Sequence, residues 1–566
     1  MPISPVLDPI VALARAGELD AASTLCKRQL ALTPEDAETW HLSALLQMLS
    51  GHPKPAVEGY RRAITLDPTV AKYHSNLANA LLACQDPVAA EHHYRRALTL
   101  ASPPPETHYN LALLLSRQDR KEEAETVLTE ASRLATLDAD AYTLLGNCQQ
   151  KNGRVVQACS SYQRALGLNP GDADTRAELS LMQEALNQLV DAATSARQVL
   201  TRIPDHPLAS FVEARLLRRA GKLEEALARL AALPPDALPG PLAAAARNEE
   251  GQILDRLDRT DAAFACFISA KQIQLRHAPE RLASQAQAYL GEVTRLLSQE
   301  DSYASTLTPP QPDEPRPVFL VGFPRSGTTL LETMLGGHPG IQTLEERPLI
   351  QTLVASHPEL FTGVAARSPL PTTTRRFLQA LYFDLAAQDT PRQSDTLWLD
   401  KLPLNLVRIP SILRIFPSAR FILALRHPCD VCLSCQMQLF ALNPAMAQLS
   451  TLDSTVHFYA LTMQLWQRYA RELPLKVYPI RYEEIVRSPE TELARLLDFL
   501  DLPWHDNVSR FTQRARDGRH IDTPSYQQVS QALYHHADGR WQRYRTHLDA
   551  HLPILRPAMH AFGYTG

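Results

Sequence analysis

The sequence predicts two architectures in one chain: an all-α array of stacked helical pairs, followed by a three-layer α/β domain built on a parallel sheet. Three observations carry that reading. Residue columns recur every 34 positions through the first two hundred residues, a proline-rich stretch "TLTPPQPDEPRP" runs from Thr306 to Pro317, and beyond it short apolar runs alternate with helical patterns. At 566 residues the chain exceeds one ordinary core, so several units or a repeat array are required.

The columns come first. Leu32, Leu66, Leu100, Leu134 and Leu168 share one register, with Pro34, Pro68, Pro170 and Pro204 two places behind it. A second column holds only small residues, Ala44, Ala78, Ala112, Gly146, Ser180 and Ala214, where paired helices must approach closely. Tyr60, Tyr94, Leu128 and Tyr162 form a third, and Ala63, Ala97, Ala131 and Ala165 a fourth. This register resembles the tetratricopeptide repeat and extends from about Ile10 to Leu230. Each helical pair has an apolar face that only its neighbours cover, so the resemblance implies a superhelix with a concave surface suited to a protein or peptide. The register fails after "LPPDALPGP", and the following helical stretch reads as a cap or adaptor. The expected domains are residues 5–232 for the repeats, 233–305 for the adaptor, 306–317 for a linker and 318–566 for the α/β domain.

The linker prolines remove backbone donors and bar both helix and central strand. Beyond them "PVFLVG", "TLWLD", "ARFILALR" and "LKVYPIRY" read as strands, with helices near Leu330, Leu404, Val431, Ser454 and Thr491. That alternation argues for a parallel sheet covered on both faces.

Formal net charge is -4, which provides no global field for nucleic acid or anionic membranes. No apolar run is long enough to predict a membrane span, and the N-terminal stretch, interrupted by Asp8, does not read as a signal peptide. Eight cysteines, mostly scattered, fit a reducing compartment better than a disulfide framework. A cytoplasmic protein is expected.

The chemistry is concentrated in "VFLVGFPRSGTTLLETML", Val318 to Leu335. Gly322, Gly327 and Thr329 occupy the glycine and hydroxyl positions of a Walker phosphate loop, but Thr328 stands where the lysine belongs. Strand, glycine loop and helix still follow one another, so backbone N–H groups and the positive end of a helix dipole face an anion. Arg325 adds a planar fork of donors. A nucleoside triphosphatase would need an acid at the end of a second strand, and Asp400 in "TLWLDK" is the candidate. The strand "FILALR" instead ends in Arg426, which invites a second anion. Two separated anion sites suggest a nucleotide with phosphate at both ends.

These residues resemble the sulfotransferase family, which uses 3′-phosphoadenosine 5′-phosphosulfate (PAPS), and most closely its protein-tyrosine branch. The resemblance implies that "PRSGTTL" places Arg325, Ser326, Gly327, Thr328 and Thr329 on the 5′ end of the cofactor. It implies Arg426 and Ser434 of "RHPCDVCLS" on the 3′-phosphate and Tyr482 of "IRYEEIV" by the adenine. "SYQQV" and "GRW" resemble the C-terminal closing loop, giving Ser525 and Arg540 as further contacts. Glu346, second of the pair in "TLEERPLI", would be the base, leaving Glu345 as the other candidate; Lys401 would offset charge on the transferring group, with Arg325 and Ser525 assisting. No metal is expected. Gln438 stands where the branch has another cofactor arginine, and Arg347-Pro348 replace a threonine and an arginine that bear on acidic peptides. The expected acceptor is a protein tyrosine held by the repeats; a glycan or small-molecule acceptor and a non-catalytic nucleotide-sensing scaffold are the alternatives.

Cys429, Cys432 and Cys435 have a spacing reminiscent of iron–sulfur ligation, but they also share one helix face as small buried hydrophobes, the reading preferred here. The adjacent pairs His92-His93 and His535-His536 are expected at the surface.

Overall fold

The computed structural model describes residues 5–134, 137–233, 238–299, 303–344, 346–362, 368–388, 396–510 and 539–565. Its chain forms two compact units, Met1–Arg202 and Ile203–Gly566.

The first unit is all helical. Pairs such as Ala37–Leu49 with Pro53–Leu66, Ala71–Ala83 with Pro87–Leu98, and Ala139–Lys151 with Val155–Leu168 repeat the predicted period. Asp36, Asp86, Asp138 and Asp172 each accept a hydrogen bond from a backbone N–H in the first turn, which satisfies a donor the helix cannot. Within this unit the small-residue and tyrosine columns are core: Ala44, Ala78, Ala112, Tyr60, Tyr94, Leu128 and Tyr162 are buried. Gly146 shows why the column stays small, since a Cβ there would lie 2.5 Å from Tyr162 Cε1. The leucine column is different. Leu32, Leu134 and Leu168 each end a second helix and are exposed, so they mark the register without filling the core. A further column lies in the turns inside the pairs, where Gly51, Gln85, Asp119, Gly153 and Asn187 all have left-handed φ.

The second unit begins with the helical pair Pro207–Arg219 and Leu223–Ala231, followed by three adaptor helices, Gly240–Arg256, Thr260–Arg276 and Arg281–Ser298. A five-stranded sheet follows, made of β1 (Val318–Gly322), β2 (Ile341–Leu344), β3 (Leu397–Lys401), β4 (Arg420–Leu425) and β5 (Lys476–Arg481). Its order is β2-β3-β1-β4-β5 and every pairing is parallel. One face packs Phe319, Val321, Phe421 and Leu423 against helix Thr372–Ala387 and helix Leu452–Glu472. The other packs Val318, Leu320, Leu399 and Ile422 against the loop helix Thr328–Leu335 and helix Pro489–Phe499. Three layers result.

The adaptor helices are not an appendage: Leu254, Phe264, Phe267 and Val293 belong to the same apolar core as Phe319 and Phe421. The proline-rich stretch is also fastened within this unit. Glu314 accepts from Arg375 at 2.6 Å, both side chains are buried, and Arg375 also reaches Thr308.

Candidate active site

The loop between β1 and the loop helix is shaped by two residues with left-handed φ, Arg325 (72°) and Gly327 (96°). Arg325 carries a Cβ in a region that disfavours one, so its conformation must be held by its surroundings. Its Nε donates to Ser434 Oγ at 3.0 Å, and Arg426 Nη1 approaches its carbonyl at 3.4 Å. Gly327 has no alternative residue, because a Cβ would lie 2.8 Å from Tyr482 Cδ2. The Arg426 guanidinium in turn stacks 4.7 Å from the Tyr482 ring centroid. Ser326, Thr328 and Thr329 are buried around the start of the loop helix.

Arg325, Ser326, Gly327, Thr328, Thr329, Arg426, Ser434 and Tyr482 are therefore contiguous through these contacts. Burial, with Arg426 and Arg540 nearby, pushes Arg325 down to about 10. An anion here would relieve that repulsion and take the free N–H end of the helix.

Lys401 leaves the end of β3 on the same face of the sheet as the loop helix, since its register partner on β1 is Leu320. It is fully buried, 2.7 Å from Glu346 Oε1 and 3.1 Å from Glu332 Oε2. Burial pulls its pKa down, but the two carboxylates outweigh that and hold the ammonium above its usual value. Glu346 is 40% exposed, so this carboxylate alone of the pair opens to solvent while Glu332 is buried. Sequence reasoning missed Glu332; its signal was an acid in the otherwise apolar "TTLLETML".

Asp400 points the other way. Its register partner Phe319 lies in the opposite core, and its carboxylate accepts from Tyr382 Oη at 2.7 Å and Asn405 Nδ2 at 3.2 Å. It does not face the loop helix, so the geometry disfavours the triphosphatase alternative. Burial pushes Asp400 up from 3.8 to about 7. The folded chain then binds one proton more than the unfolded chain between those values, so this group's contribution to stability is full below about pH 4 and lost as pH rises through about 7. Asp400→Asn is expected to flatten that slope and to raise the denaturation midpoint at pH 8 relative to pH 4. An unchanged pH profile would show that Asp400 is already ionised.

Arg540 is turned onto Asp255 of the first adaptor helix, which also accepts from Tyr544 Oη at 2.7 Å. An ion pair with Asp255 thus engages Arg540, and its charge still reaches Arg325. Ser525 and Glu345 lie outside the described residues, as do His535 and His536. Trp541 plugs the core, stacked on His427 at 5.1 Å. Cys429, Cys432 and Cys435 are buried, with burial pushing Cys429 and Cys435 up to about 12, so they behave as small hydrophobes. His92 is exposed, but His93 turns inward to His74, Nδ1 to Nδ1 at 3.1 Å. Arg347 donates to Ala386 O at 3.0 Å, and Gln438 to Leu439 O.

Residues 317–506 match the sulfotransferase family, and residues 109–173 and 182–240 match the tetratricopeptide repeat. An uncharacterized protein of Aquifex aeolicus is 29% identical over 256 residues, 43% of this chain and 32% of that protein. Protein-tyrosine sulfotransferase 1 of Danio rerio is 26% identical over 204 residues, 34% of this chain and 54% of that protein. Omega-hydroxy-beta-dihydromenaquinone-9 sulfotransferase Stf3 of Mycobacterium bovis is 31% identical over 207 residues, 33% of this chain and 49% of that protein. The chain spans about a third to a half of the length of these curated relatives. Residues 317–506 are thus similar to the sulfotransferase family, and the matches to the tetratricopeptide repeat lie before them.

Proposed function

We propose that the chain transfers a sulfuryl group from PAPS to a hydroxyl, and that the acceptor is a tyrosine of a polypeptide recruited by the repeats. One observation carries the reading: Arg325, Arg426 and Ser434 gather around a glycine loop at a helix start, with the Lys401–Glu346 pair beside that same helix. Arg325, Ser326, Gly327, Thr328 and Thr329 would hold the 5′ end, Arg426 and Ser434 the 3′-phosphate, and Tyr482 the base. Bound there, the nucleotide supplies the sulfuryl group and departs as adenosine 3′,5′-bisphosphate, an O–S bond to the acceptor replacing the one to the 5′-phosphate. Glu346 takes the acceptor proton. Lys401 keeps a positive charge beside the departing phosphate, where negative charge accumulates.

Two features favour a peptide. Relatives in Danio rerio and Drosophila melanogaster are named protein-tyrosine sulfotransferases. In the repeats, Asn79, Leu82, Tyr94, Asn110, Leu113 and Arg117 line a cleft of about 220 Å³ that mixes apolar walls with polar groups, Asn79 Oδ1 already accepting from Tyr94 Oη and Asn110 Nδ2.

Incubating the full chain with ³⁵S-labelled PAPS and cell extract, then locating the label by mass spectrometry, tests the proposal. Sulfotyrosine is expected; label on a glycan, lipid or small alcohol would reject the acceptor assignment, and nucleotide binding without any label would favour the scaffold. Arg426→Ala is expected to weaken adenosine 3′,5′-bisphosphate binding by about 10- to 150-fold, because a charge-assisted phosphate contact contributes about 1.5–3 kcal/mol. Unchanged affinity by calorimetry would remove Arg426 from the site. A chain beginning at Ile203, the start of the second compact unit, is expected to keep nucleotide affinity and lose most protein labelling. Equal labelling would dissociate the repeats from acceptor recruitment.

A further inference from the structure

The helix that carries Ser434, Pro428–Gln436, is held at its C-terminal end by adaptor residues and at its N-terminal end by the returning "GRW" segment. At its C-terminal end the buried Lys271 of the second adaptor helix donates to Cys435 O at 2.9 Å and also to Leu449 O. Gln252 of the first adaptor helix donates to Met437 O at 2.9 Å, and Gln274 to Phe440 O at 2.8 Å. A helix leaves its last carbonyls without internal partners and gathers partial negative charge there, so a buried ammonium is a strong cap. At the N-terminal end, Asp430 accepts from Gly539 N at 2.9 Å and Trp541 N at 2.8 Å. That returning segment is itself tied to the adaptor, Arg540 and Tyr544 on the Asp255 carboxylate and Arg543 on its carbonyl.

A buried ammonium is costly unless its bonds are needed, and Lys271 is only 4% exposed. Its two carbonyl partners fix where the helix ends relative to the segment that follows. Two residues before Gln436, Ser434 meets Arg325, and Arg426 lies just before the helix begins. A shift of the helix along its axis would separate Ser434 from Arg325 without altering either residue.

We propose that the adaptor helices form part of the nucleotide site, with Lys271 as a positioning residue that sets Arg426 and Ser434 for a nucleotide 3′-phosphate, Gln252 supporting it. The inference rests on the nucleotide reading above and adds to it a dependence on residues far outside the binding loops. Arg426 and Ser434 are the groups that touch the phosphate; Lys271 acts through the helix.

Calorimetry on the full chain, comparing adenosine 3′,5′-bisphosphate with adenosine 5′-monophosphate, reads the effect. The unaltered protein is expected to prefer the bisphosphate. Lys271→Met should reduce that preference by about tenfold or more, leaving monophosphate affinity within about twofold, since a displaced charged contact is lost only by the ligand that makes it. A general folding defect would instead lower the binding stoichiometry for both ligands alike. Should Lys271→Met fail to fold, Gln252→Ala removes one neutral bond and is expected to reduce the preference by roughly threefold. An undiminished preference in the folded variants overturns the positioning role. Absence of any preference in the unaltered protein would instead overturn the 3′-phosphate reading itself, and with it this inference.

Discussion

Glu346→Gln is expected to lower turnover by about 10²- to 10⁴-fold while changing the affinity for adenosine 3′,5′-bisphosphate by less than about twofold. The carboxylate stands just past β2, one oxygen 2.7 Å from Lys401 Nζ and the side chain 40% exposed, so it can meet an acceptor hydroxyl and release a proton to water. Glutamine keeps an oxygen for Lys401 while removing the basicity and one of the two negative charges beside that lysine. Single-turnover assays separate this from a binding effect, because an interaction made only in the transition state lowers kcat and kcat/KM together. Glu332→Gln is the control: it bonds the same lysine but is buried beneath it, so its effect on a proton transfer at the surface should be smaller. Full turnover in Glu346→Gln would pass the role of base to Glu345 or another group.

The parts of this site legible in sequence are those whose chemistry is local. The glycine loop needs Gly327 because Tyr482 lies against it, and Arg325 reaches Ser434; residue types at fixed spacing announced both loops. Four of the five strands were equally plain, as apolar runs. β2, Ile341–Leu344, was missed because it is four residues long, half polar, and follows a glycine turn. The helix expected near Leu404 begins instead as a 3₁₀ segment, Pro403–Arg408, with prolines at 403 and 410 breaking the α-helical ladder. In the repeats, spacing announced the packed tyrosine and alanine columns, but it could not tell a core leucine from the exposed Leu32, which only ends its helix. What no local pattern could supply is pairing at long range. The motif around Arg540 gives no hint of its ion pair with Asp255, 285 residues away in the chain. Lys271 carried no signal at all, one lysine in a helix of ordinary composition.

Lys401→Met is expected to destabilise the second unit by about 3–5 kcal/mol, through Glu332 more than through the lysine itself. The ammonium is fully buried between two carboxylates in unequal surroundings. Without it Glu346 can turn to water, being 40% exposed, but Glu332 sits 7% exposed on the buried face of the loop helix and would keep a charge with its main cation gone. Glu332→Gln added to Lys401→Met should therefore recover most of the lost stability, a neutral amide being less costly to bury than a carboxylate deprived of this cation. Turnover should stay low in the double variant, because the positive charge beside the departing phosphate is still missing. Denaturation followed by tryptophan fluorescence reports on the correct unit, since Trp398, Trp466, Trp504 and Trp541 lie in it and Trp40 alone in the other. A loss below about 1 kcal/mol in the single variant, or no recovery in the double, would mean that Glu332 is satisfied by other means and that Lys401 is retained for chemistry alone.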